Sequence, residues 1–120
     1  MIKDILIITF LIGILDSIYL SLFKNKFNTM IKNIQGSDIN LHLLSAILCY
    51  ILLIIGIYYF VINKKFTYFE TFLLGFIIYG VFDLTSMAIF KKWQIDLAII
   101  DTLWGGILFT STYYLYNKLI

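Results

Sequence analysis

Four long, almost uncharged stretches, with no proline anywhere in the chain, constrain its fold more than any other feature. They cover residues 5–23, 41–62, 68–90 and 95–116 of 120. Each has the ~20 residues that a helix rising ~1.5 Å per residue needs to cross a hydrocarbon layer. Strands of a membrane barrel would alternate in segments of ~10 residues, and these runs do not alternate. Composition leads the same way: 62% of residues are hydrophobic and 13% charged, against ~45–50% and ~25% in soluble domains. So short a chain cannot hide that excess in a core, so its solvent is lipid. The connections at 63–67 and 91–94 are short, which forces the spans they join to run antiparallel as neighbours. The expected fold is all-α: a single four-helix transmembrane domain over residues 1–120, multi-pass and integral to the membrane.

Other classes are excluded. Nine lysines with no arginine, and a net charge of +2, make no basic face for nucleic acid. Cys49 has no partner for a disulfide and, lying in an apolar run, is expected to be an inert buried thiol. The first run is too long for a signal-peptide core, contains Asp16, and lacks a small-residue cleavage site, so it reads as a retained span. Four lysines fall on the face carrying both termini and five on the other. That leans toward termini outside, but the α-amine levels the count and the charges fix no orientation. Trp93, Tyr58, Tyr59, Tyr113, Tyr114 and Tyr116 are expected as interface anchors.

The linker after the first span has a pattern of its own. Phe27, Met30, Ile31 and Ile34 recur at helical spacing, with Lys26, Asn28, Lys32 and Asn33 mostly elsewhere. This predicts a short amphipathic helix over about 26–35 lying in the headgroup region and ended by Gly36. Ser37 or Asp38 is then placed to cap the second span.

The acids carry the remaining information. Asp4, Asp38, Glu70 and Asp96 fall at span ends, where water, helix N-termini and lysines can serve them. Asp16, Asp83 and Asp101 lie well inside, where a charged Asp costs ~2.5–3.5 kcal/mol even on lenient scales. Asp16 is seven residues before Phe23, Asp83 seven before Phe90, and Asp101 six after Ile95. Those offsets are ~9–11 Å at helical rise, and antiparallel topology measures all three from one membrane face. Three acids from three helices are thus expected in one layer, with His42 entering from that face at shallower depth. Inward-facing stripes are predicted at Thr9, Gly13 and Asp16, at Gly75, Tyr79 and Asp83, and at Asp101 and Gly105, small residues allowing close helix approach. Tyr19, Tyr79, Thr85, Ser86, Thr102 and Trp104 are candidate donors to the carboxylates. Three carboxylates together in a dry layer repel one another, so the layer is expected to hold shared protons or a cation. His42 is read as an interfacial hydrogen-bonding residue rather than a metal ligand. No metal or cofactor motif supports a bound group.

The run Tyr79-Gly80-Val81-Phe82-Asp83-Leu84-Thr85-Ser86-Met87-Ala88, the later Asp101-Thr102-Leu103-Trp104-Gly105 and the early Leu15-Asp16-Ser17-Ile18-Tyr19-Leu20 resemble the motifs of domain-of-unknown-function family 2177. The resemblance spans nearly the whole chain, and all three interior acids fall in motif positions. Ser86 stands where Asn is usual, and Lys92-Trp93-Gln94 where Gly-Trp-Pro is typical. The resemblance implies an integral membrane protein of four spans and brings no activity.

Two functions of different class fit these residues equally well. One is a small transporter-like protein handling protons or cations through the aspartate layer, since intramembrane acids often mark ion pathways. Four helices enclose little volume, so transport calls for a homodimer or partner membrane helices. The other is a structural or accessory membrane protein whose acids are interhelical hydrogen-bonding glue. An enzyme ranks last: the chain lacks Gly-x-Ser-x-Gly, His-Glu-x-x-His, a phosphate loop and Cys-x-x-Cys.

Overall fold

The computed structural model describes residues 1–120 as four helices and no strands. They are α1 (Ile2–Gln35), α2 (Leu43–Ile62), α3 (Tyr68–Ile89) and α4 (Ile95–Leu119). All four are long and apolar enough to cross a membrane. The molecule measures 45 × 26 × 21 Å, its long axis comparable with a bilayer of ~40–45 Å including headgroups. Only 24 of 120 residues are buried, and the large apolar side chains left over, Leu22, Leu52 and Leu84 among them, face outward. That inversion suits a lipid solvent.

Local chemistry explains the helix ends. Gly36 adopts φ 81° and its N–H donates to Lys32 O at 2.8 Å; this left-handed cap favours glycine. Thr67 and Glu70 form a reciprocal capping box at the start of α3. Glu70 N–H donates to Thr67 Oγ1 at 3.1 Å, and Thr67 N–H to Glu70 Oε1 at 2.8 Å. The last six residues of α2, Ile57–Ile62, are π-helical. Asn63 N–H accordingly reaches Tyr58 O at 3.0 Å.

Three expectations are corrected. The amphipathic segment over 26–35 is helical and ends at Gly36, but it continues α1 without a break. No glycine or proline interrupts the chain between Phe23 and Gly36. Its apolar face also has a better partner than lipid headgroups: Met30 packs with Trp93, Leu97 and Ala98 in a small second core. The cap of α2 is His42, not Ser37 or Asp38; its Nδ1 accepts from Ser45 N–H at 3.3 Å. Cys49 lies on an exposed side of α2, where it meets lipid instead of a core.

α4 is the centre of the bundle, packed along α3 and touching α1 and the end of α2. The main core joins Ile8 and Ile12 of α1, Ile57 and Val61 of α2, and Leu108 and Phe109 of α4. Glycines set the α3–α4 distance. A Cβ at Gly75 would strike Gly105 O; one at Gly105 would strike the Tyr79 ring and lie 2.5 Å from Gly75 O; one at Gly106 would lie 2.6 Å from the Phe72 ring. Backbones this close are the small-residue packing that membrane helices use in place of a hydrophobic driving force. Gly13 has no such role. It and Thr9 are exposed on α1, and Thr9 Oγ1 donates to its own helix at Ile5 O. The inward stripe of α1 is Ile8, Leu11, Ile12, Asp16 and Tyr19.

Candidate functional site: an aspartate layer in two halves

α1 and α4 exchange side-chain hydrogen bonds in strict antiparallel register. Tyr19 OH donates to Asp101 Oδ1 at 2.9 Å, Trp104 Nε1–H to Asp16 Oδ1 at 3.0 Å, and Tyr116 OH to Asp4 Oδ1 at 2.6 Å. In every pair the two residue numbers add to 120, so one helix alignment makes all three bonds. Asp16 and Tyr19 are three residues apart on α1, as are Asp101 and Trp104 on α4, so each helix presents one acid and one donor to the other. The Tyr19 and Trp104 rings stack at 4.7 Å and 2°, joining the two acids by an aromatic pair. Tyr50, from α2, donates to Asp16 Oδ2. Both Asp16 oxygens are therefore satisfied by neutral donors, one from each of two other helices.

The other half is built differently. Asp83 of α3 is fully buried, and its carboxyl neighbours that of Asp101. Asp83 Oδ2 has only a long contact, 3.5 Å, from Thr102 Oγ1. Trp93, on the α3–α4 connection, lies close to Asp83, yet neither its Nε1 nor Asp83 Oδ1 has a partner in hydrogen-bonding geometry. No lysine is paired with any of the three acids: the ion pairs are the N-terminal amine with Asp4 and Lys32 with Asp38.

Thus Asp16, Asp83 and Asp101 occupy one layer but do not meet as a trio. No group of three or more His, Cys, Asp or Glu side chains comes together to hold a metal ion. Among the expected donors, Tyr19, Trp104 and Thr102 reach acids. The half-buried Tyr79 instead lays its ring over Gly105. Ser86 is buried without a side-chain bond to an acid, Thr85 is exposed, and His42 is exposed at the α2 cap, beside Ser45 Oγ at 2.5 Å.

Two participants escape the sequence reading. Tyr50 lies nine residues into the second run, a depth of ~13 Å at helical rise and close to that of the acids, and that offset could have found it. Trp93 is buried and not an interface anchor, as is Tyr116; nothing in its local sequence separates it from a rim tryptophan.

The acids at span ends are served at their helix ends, Asp4 also by Tyr116 of α4. Asp96 Oδ1 accepts from Leu97 N–H at 2.9 Å, Glu70 completes the capping box, and Asp4 sits beside the N-terminal amine at 3.6 Å.

The fold and the layer together describe a multi-pass membrane protein with polar groups held between its spans. The chain belongs to the family described as "Predicted membrane protein (DUF2177)", whose pattern matches residues 1–115. It is an integral membrane protein. Neither a curated protein nor a solved structure matches it.

Proposed function

We propose that this protein handles a proton at the Asp83–Asp101 pair, while Asp16 and its donors brace the helices around it. The observation that carries the reading is the contrast in partners. Asp83 is fully buried, has one oxygen unpartnered, and faces a second carboxyl. Two neighbouring carboxyls away from water repel each other when both are ionised, which favours a proton held on the pair, and such a pair titrates as a unit. Buried acids of membrane spans that face a bundle interior commonly serve proton relays. Bracing is the second reading, and Asp16 favours it: Tyr50 and Trp104 each donate to one of its oxygens and tie α1 to α2 and α4.

Infrared spectroscopy of the protein in lipid, recorded across pH, tests the proposal. A protonated-carboxyl band that titrates and disappears in both Asp83→Asn and Asp101→Asn, but survives Asp16→Asn, is expected. Absence of such a band at every pH, or its persistence in both pair variants, overturns the proton reading and leaves bracing for the whole layer.

A further inference from the structure

A groove of about 360 Å³ runs between α3 and α4 on the lipid-facing side of the bundle. Phe76, Leu84, Met87, Ile99 and Leu103 wall it, and the buried Asp83 lies at its inner end with Gly80 and Thr102. The volume falls at the lower end of small-molecule sites, which run ~300–1,000 Å³. A larger groove of about 420 Å³, beside Leu15, Tyr68 and Thr110, contains no acid.

We propose that the α3–α4 groove binds a membrane-borne primary alkylamine, the chain lying along the apolar walls and the ammonium donating to Asp83 Oδ1. Three observations support this ligand chemistry. The walls are hydrocarbon and aromatic, so the body of the ligand is apolar. Asp83 Oδ1 is a buried acceptor without a donor, and leaving it so is costly. The carboxyl pair has no basic residue of the chain beside it, so a cationic head supplies the missing counter-charge and a hydrogen bond together. Gly80 puts no side chain over the acid. Met87, with its rotatable thioether chain, is the wall best able to swing aside and admit the head. The inference rests on the proton reading in taking the pair to carry one negative charge and in leaving Asp83 Oδ1 outside any proton bond between the two carboxyls.

The test uses the full chain in phosphatidylcholine nanodiscs, titrated with dodecylamine while the amide signals of Gly80 and Thr102 are followed by NMR. Expected are saturable shifts, with affinity at least tenfold weaker in Asp83→Asn and in Ile99→Trp, which fills the groove from a half-exposed position. Dodecanol, a donor without charge, is expected to bind at least tenfold more weakly than the amine. Non-saturable shifts, equal affinity in both variants, or equal binding of the alcohol overturns the inference. The infrared band is read separately: a titrating band without amine binding sinks only this inference, and Asp83-dependent binding without the band sinks only the proton reading.

Discussion

Asp16 and Asp83 are the same residue type at the same level of one bundle, yet they are in opposite situations. Asp16 is clasped by Tyr50 and Trp104, one neutral donor for each oxygen. Asp83 has a 3.5 Å contact to Thr102, a second acid beside it, and an oxygen with no donor. Residue type and depth therefore do not fix whether an intramembrane acid is satisfied. What decides is the number of donors that neighbouring helices bring to it. Around Asp16, α1 meets the aromatic stripes of α2 and α4. Around Asp83, α3 meets α4 across glycines and a threonine, which bring backbones together but supply few donors.

The largest expected effect disturbs both halves at once. Gly105→Leu places side-chain atoms where Gly75 O and the Tyr79 ring stand, forcing α3 off α4. A loss of about 3 kcal/mol or more is expected, read as the shift in SDS denaturation of micellar protein. Stability within 1 kcal/mol of wild type, on the order of an ordinary core swap, would show that the glycine contact does not set the helix spacing.

Asp16→Leu comes next. It leaves the Trp104 and Tyr50 donors without an acceptor, for which ~1–3 kcal/mol is expected, read in the same denaturation assay. The asparagine variants then sharpen the contrast between the halves. At position 16 the amide offers one acceptor and turns its NH2 on a donor, so Asp16→Asn should cost about 1 kcal/mol. At position 83 the same NH2 faces Asp101 and mimics a shared proton, so Asp83→Asn should stay within ~0.5 kcal/mol of wild type. Equal costs at the two positions would erase the distinction drawn between them.

The smallest effects concern the two tryptophans. A double-mutant cycle between Trp104→Phe and Asp16→Asn should give a coupling of ~0.6 kcal/mol, the average for hydrogen bonds between membrane helices. A cycle between Trp93→Phe and Asp83→Asn should give none measurable, since Trp93 Nε1 donates to nothing in bonding geometry. Coupling of similar size in both would place Trp93 among the working donors.

Much of the architecture was legible in the chain. Hydrophobic run length set the number of spans, short connections set their antiparallel order, and counting residues from the span ends placed three acids in one layer. Those arguments use only helical rise and the thickness of hydrocarbon, both independent of what packs against what. The inward stripe of α1 was not legible, because Thr9 and Gly13 look like packing residues by type while Ile8 and Ile12 look like lipid-facing ones. In lipid, apolarity no longer marks the inside.

Sequence alone thus determined that the chain has four spans and that its interior acids fall at one level, because solvation by hydrocarbon acts on each segment separately. Tertiary structure decided which acid is satisfied. The register that pairs Asp16 with Trp104 and Tyr19 with Asp101, and the glycine contact that brings Asp83 beside Asp101, arise from how helices distant in the chain dock. A hydrogen bond between them depends on rotation and alignment that no single helix encodes.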